Sequence, residues 1–153
     1  MKGAKMESKI DEVVELFGNG FYCSQAILST YCEEFGLDKE IALKLSCGMA
    51  AGIARLSSTC GAVTGAYMVI SLKHGNCTPE DKESTEKTFA LIQEFDRRFI
   101  EKHSSTNCRE LLGVDLRYGD KEIAGQKVRT LCSGFVREAA EILENVLYQS
   151  ERG

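Results

Sequence analysis

The sequence predicts a single all-α domain over residues 1–153, a helical bundle of about five to seven helices. Apolar residues recur at helical spacing nearly throughout, no run alternates at period two, and one proline leaves room for long uninterrupted helices. With 43% apolar and 27% charged residues the chain has the composition of a globular protein. A chain of this length can bury about two-thirds of its unfolded surface, enough for its own core.

Ile10, Val13, Val14 and Phe17 stand at i, i+3, i+4 and i+7, one face of a first helix ending near Gly18-Asn19-Gly20. A second runs from about Cys23 to Phe35 and stops at Gly36. Asp38 is placed to cap a third, which carries Ile41, Leu45 and Met49 and loosens at Gly48 and Gly52. A fourth starts near Ser57-Ser58 and continues through Val63, Val69 and Leu72 to Gly75. Thr78-Pro79-Glu80-Asp81 opens a fifth: Thr caps, Pro takes the first turn, and the acids meet the positive end of the dipole. Phe89, Ile92, Phe95 and Phe99 form its apolar side, and Arg97, Arg98 and Lys102 stand at the negative end. After a short turn over Cys108-Arg109-Glu110-Leu111-Leu112-Gly113, a last helix is expected over roughly 121–149. Its stripe is Val128, Leu131, Cys132, Phe135, Val136, Ala139, Ile142, Leu143 and Val146.

A formal charge of −4 and the lack of a dense basic cluster argue against a nucleic-acid partner. No stretch approaches the roughly 18 apolar residues that a membrane span needs. Residues Met1 to Lys9 are too polar for a signal peptide, so the expected location is cytoplasmic. In a reducing compartment structural disulfides are rare, and clustered cysteines more often bind metal or do redox work. Seven cysteines, an odd number, also fit a closed disulfide framework poorly.

Cys23 and Cys60 each fall at or within a turn of an expected helix start, where the dipole and free amides favour a thiolate. Ionisation matters because the thiolate is both nucleophile and metal ligand: a thiol of pKa about 8.5 is roughly 3% ionised at pH 7, one of about 6.5 roughly 75%. The plain alternative is that free cysteine is a common small core residue. Cys60 heads the run Cys60-Gly61-Ala62-Val63-Thr64-Gly65-Ala66, whose glycines share one helical face. Each costs about 1 kcal/mol against alanine, which the close approach of a second backbone or of a bound cofactor would offset. Cys108 opens its turn after the polar stretch Ser104-Ser105-Thr106-Asn107, and Cys132 lies on the apolar stripe of the last helix, facing inward. Cys32 is half a helical circuit from Cys23, while Cys47 and Cys77 sit at a helix end and in a loop.

Together, Cys23, the block Cys60 to Gly65, Cys108 and Cys132 resemble the four-cysteine pattern of the redox-active family named C_GCAxxG_C_C. The flanks agree: Ser24-Gln25-Ala26 after the first cysteine, Arg109-Glu110-Leu111-Leu112-Gly113 after the third, and Val136 with its helix beyond the fourth. The resemblance covers about residues 10–147. It implies that these four cysteines are the functional set and converge in space, with Cys32, Cys47 and Cys77 as extras. It names no substrate.

His74 and His103 lie near expected helix C-termini, which suits capping, although His103 is close enough to Cys108 to stand in as a ligand. No metalloprotease helix, phosphate loop or dinucleotide fingerprint is present. The carboxylates alternate with lysines on faces that read as solvated.

Three chemistries fit. Four thiolates from separate helices can hold an iron–sulfur cluster, zinc or copper(I), making an electron-transfer protein or oxidoreductase. The spacings of 37, 48 and 24 residues match no compact ferredoxin or zinc ribbon, but facing helices build such sites in bundle cores. A metal-free thiol–disulfide protein would use a low-pKa Cys60 or Cys23 for attack and Cys132 or Cys108 to resolve the mixed disulfide. No Cys-x-x-Cys or βαβ pattern supports a thioredoxin mechanism. The third is a structural or partner-docking bundle with inert or zinc-bound thiols. The expectation carried forward is a cytoplasmic redox-active protein in which the four cysteines share one site with a cluster or metal, beside Gly61 and Gly65. It would work with a redox partner protein, and an apolar bundle face could close a homo-oligomer.

Overall fold

The computed structural model describes residues 7–118, 122–123 and 126–149. Helix α1 spans Ile10–Gly18, α2 Cys23–Tyr31, α3 Lys39–Cys47, α4 Ala50–Ala54, α5 Gly61–His74, α6 Lys82–His103, α7 Cys108–Leu112 and α8 Val128–Gln149. Single 3₁₀ turns occupy Glu33–Phe35 and Leu116–Tyr118. A two-stranded antiparallel ribbon, β1 Glu122–Ile123 and β2 Gln126–Lys127, precedes α8. The architecture is a helical bundle, as the apolar spacing predicts.

Helices α2 and α5 form the central pair, with α1, α6 and α8 packed around them and α3 against α2. The core is built from Ile27, Leu28 and Tyr31 of α2, Val63, Val69 and Ile70 of α5, Phe95 and Phe99 of α6, and Val136, Leu143 and Leu147 of α8. Gly65 makes the α2–α5 crossing possible. A Cβ there would stand 3.1 Å from the Ser24 carbonyl oxygen and 3.2 Å from Ile27 Cβ. Side chains fasten the ends: Ser24 Oγ donates to the Ser46 carbonyl (2.8 Å) and Gln25 Nε2 to the Leu43 carbonyl (3.1 Å), which holds α3. Tyr31 Oη and the Lys9 amide both donate to the buried carboxylate of Glu144, tying α2 and the start of α1 to α8.

Several expected boundaries move, each for a local reason. The expected second helix closes at Tyr31 and gives way to the 3₁₀ turn, which Gly36 ends at φ +86°. Asp38 caps α3 as expected, accepting from the Ile41 amide, but Ile41 and Leu45 are 55% and 58% exposed and are not core residues. Helix α6 starts at Lys82 and not near Thr78, because Asp81, not Thr78, accepts the cap hydrogen bond from the Ser84 amide. Its Phe89 is 54% exposed, while Phe95 and Phe99 are fully buried. The helix expected from about 121 begins at Val128, since the preceding residues pair as a ribbon; 121 and 124–125 lie outside the described residues.

The largest departure is α4. Ala51, Gly52, Ile53, Ala54 and Arg55 all have positive φ, between 49° and 67°, so the chain makes a left-handed turn. Left-handed backbone costs an L-residue roughly 1–2 kcal/mol, and only glycine adopts it freely. Four of these five residues are not glycine. The Met49 and Gly52 carbonyls accept amides from Ile53 (3.4 Å) and Ser58 (2.8 Å). This turn forms one wall of the cavity described next.

Candidate functional site

At one end of the α2–α5 pair lies a cavity of about 490 Å³, partly open to solvent. Cys23, Cys60, Cys108 and Cys132 all line it. They arrive from four elements: Cys23 is the first residue of α2, Cys60 caps α5, Cys108 opens α7 and Cys132 lies in the second turn of α8. Cys23, Cys60 and Cys108 are buried, and Cys132 is partly so.

Backbone pairing sets two of them side by side. Thr59 and Asn107 form an antiparallel bridge. The Cys60 amide donates to the Thr106 carbonyl (2.8 Å) and the Cys108 amide to the Ser58 carbonyl (2.6 Å). Each cysteine therefore leaves the bridge and starts a helix, α5 or α7. Asn107 secures the second start by accepting from the Glu110 amide (3.1 Å), and Gly113 closes that turn at φ +75°.

Two glycines make room for the cysteine side chains. A Cβ on Gly61 would collide with Cys23 Sγ and stand 3.1 Å from the Met49 carbonyl oxygen. At Gly52, φ is +67° and a Cβ would stand 2.7 Å from Cys108 Cβ and 2.9 Å from Ser57 Cα. Gly61 lines the cavity, whereas Gly65 lies outside its lining and serves helix packing. Gly52 is a site residue that sequence reasoning missed. The only signal for it was a glycine in a stretch read as a loosening helix.

The electrostatics reverse one expectation. Cys23 and Cys60 do stand at helix N-termini, and nearby amides pull their pKa values down: Ala51 and Ser24 for Cys23, Ala62 and Val63 for Cys60. Burial outweighs them, and both thiols are pushed well above the ordinary cysteine range. Burial, with a smaller contribution from negative charge on Cys23, raises Cys108 to about 11 and Cys132 to about 12, and the same two causes raise Cys60. The activated thiolate expected at Cys23 or Cys60 is thus not formed by the protein alone. Helix amides are weaker than the desolvation of a sulfur anion in an apolar pocket.

Three cations also line the cavity: Arg55, Lys127 and Arg129. Arg129 donates to the carbonyls of Phe17 (2.5 Å) and Phe21 (2.9 Å), and its guanidinium lies 4.2 Å from the Phe17 ring centroid. It thereby fixes the α1–α2 connection just ahead of Cys23. No carboxylate among the described residues lines the cavity.

The remaining cysteines and histidines lie elsewhere. Cys32 is fully buried in the core with Sγ 3.5 Å from the Ser29 carbonyl oxygen, and Cys47 and Cys77 are exposed. All seven are free thiols. His103, considered as a substitute ligand, is the last residue of α6; it packs between Phe99 and Phe135, with Nε2 2.7 Å from a Glu138 carboxylate oxygen. It does not line the cavity. His74 ends α5, in the expected capping position.

Among the described residues, no three His, Cys, Asp or Glu side chains are grouped to hold one metal ion. A closed zinc site would need its sulfurs about 2.3 Å from a common point, and the cysteines do not present that arrangement. They face a shared space.

Fold and cavity together define a helical bundle with a thiol-lined pocket. The chain belongs to the C_GCAxxG_C_C family, described as "putative redox-active protein", whose sequence model matches residues 21–146. The match begins at the cavity's first cysteine-bearing element and leaves α1 outside. No curated protein and no solved structure matches the chain. Among the described residues no helix is long and apolar enough to cross a membrane.

Proposed function

We propose that this redox-active protein carries electrons through an iron–sulfur cluster held by Cys23, Cys60, Cys108 and Cys132. The observation that carries the reading is that four cysteines from four separate elements line one cavity, while the other three do not. Four is the ligand number of the common clusters. When bound, such a cluster supplies one-electron storage at a potential set by its charge, hydrogen bonds and exposure.

The protein's own residues have three tasks. The Thr59–Asn107 bridge presents Cys60 and Cys108 together, and Gly61 and Gly52 leave the sulfur of Cys23 and the Cβ of Cys108 in place. Apolar walls from Phe17, Leu116 and Val136 limit water. Burial keeps the four thiols protonated until cationic metal offsets the mutual repulsion of their anions, so loading releases protons. The same burial weighs against a metal-free disulfide mechanism, which needs a thiolate near neutral pH. Free cysteines throughout accord with a reducing, cytoplasmic setting.

Anaerobic reconstitution of the metal-free protein with ferrous iron and sulfide tests the proposal. Wild-type protein should take up both and become coloured. Uptake unchanged in three of the four single Cys→Ser variants would sink the shared site.

A further inference from the structure

We infer that the cavity is also a binding site for a small organic anion, whose acidic group is taken by Arg55 and Lys127 and whose apolar body lies against Phe17, Leu116 and Val136. The inference goes beyond the cluster reading and concerns the metal-free cavity.

Three features carry it. The volume, about 490 Å³, lies within the range of roughly 300–1,000 Å³ typical of small-molecule pockets. The lining is largely apolar, with a few polar groups that would fix orientation. Its charge runs against that of the chain: Arg55, Lys127 and Arg129 line it with no carboxylate among the described residues, in a protein of formal charge −4.

The three cations differ in their commitments. Arg129 is engaged by the Phe17 and Phe21 carbonyls. Arg55 and Lys127 are both exposed and mark the mouth; Lys127 stands opposite Glu122 across the ribbon. A bare inorganic anion would leave the apolar walls in contact with water, and a neutral ligand would leave the cations unanswered. An anion with an apolar body satisfies both. Arg55 is held at φ +65° at the end of the left-handed turn, so the strain of that segment places a cation at the pocket's edge.

The test uses metal-free, full-length protein and two fluorescent probes of similar shape: 1-anilinonaphthalene-8-sulfonate, an anion, and N-phenyl-1-naphthylamine, which lacks the sulfonate. The expected result is saturable binding of one anionic probe per chain, with the neutral probe about tenfold weaker or worse. The Arg55→Gln/Lys127→Gln double variant should lose the anionic probe about tenfold and leave the neutral one unchanged, while Arg55→Lys retains both. Equal binding of the two probes, or a well-folded double variant with full anionic affinity, overturns the inference. If the double variant loses its helical circular dichroism, the probe pair on wild-type protein still decides. Iron and sulfide play no part in the assay, so failure of the cluster reading leaves its result intact.

Discussion

The sulfur of Cys23 occupies the space in which a side chain on Gly61 would begin. This contact joins the first residue of α2 to the first residue of α5 and fixes one sulfur at the floor of the cavity. Gly61→Ala should therefore destabilise the protein although alanine is the better helix former. Overpacking costs about 1–3 kcal/mol against a propensity gain of about 1 kcal/mol. Chemical denaturation of Gly61→Ala, Cys23→Ala and the double variant measures the coupling. The double variant should recover most of the loss, because the obstructing sulfur is gone, and strictly additive effects would contradict the contact.

Gly52 should tolerate substitution still less. Its φ of +67° strains any L-residue, and the atoms its Cβ would meet are backbone and Cys108 Cβ, not a flexible side-chain end. Gly52→Ala is expected to cost about 2 kcal/mol or more and to disturb Cys108. An unchanged denaturation midpoint would show that the left-handed turn does not hold its conformation.

These two glycines mark how much of the site was legible in the sequence. Gly61 was, because two glycines one turn apart behind a cysteine are costly in a helix and ask for a close neighbour. Gly52 was not, since a left-handed turn of mostly non-glycine residues has no periodic signature. The helix starts at Cys23 and Cys108 follow from caps and spacing, and the start at Cys60 lies within a turn of the one expected near Ser57-Ser58, but the ionisation inferred from them does not follow. Local amides can be read along the chain, whereas desolvation comes from Phe17, Val136 and other residues distant in sequence. Ile41, Leu45 and Phe89 obey helical periodicity yet face solvent, because periodicity defines a face without saying what covers it.

The thiol shifts give the metal-free protein a pH dependence with a definite sign. The folded state holds protons on Cys23, Cys60, Cys108 and Cys132 more tightly than the unfolded chain, whose thiols titrate near 8.5. Their contribution is complete below that pH and is lost as pH rises through the folded values of about 11 for Cys108 and about 12 for Cys132. The denaturation midpoint should fall between about pH 8.5 and 10.5, and fall less in Cys108→Ser and Cys132→Ser. An equal fall in those variants would assign the effect to other groups. Metal uptake should move the opposite way and strengthen with rising pH, because ligation displaces the same protons.

Substitution of the seven cysteines should divide them into three groups. Serine at Cys23, Cys60, Cys108 or Cys132 should lower bound metal or alter redox behaviour. Serine at exposed Cys47 or Cys77 should change neither metal content nor stability. Cys32→Ser should lower stability by about 1 kcal/mol while leaving metal content intact, since its thiol fills the core away from the cavity. Loss of metal on changing Cys32 or Cys77 would contradict this division.

The most direct measurement is the visible spectrum of protein purified without oxygen, with iron, sulfide, zinc and copper assayed on the same sample. The account predicts visible absorbance with iron and sulfide in matching amounts, both lost when Cys23 or Cys60 is changed to serine. A colourless protein that carries zinc alone, or takes up no iron and sulfide when both are offered, would contradict it.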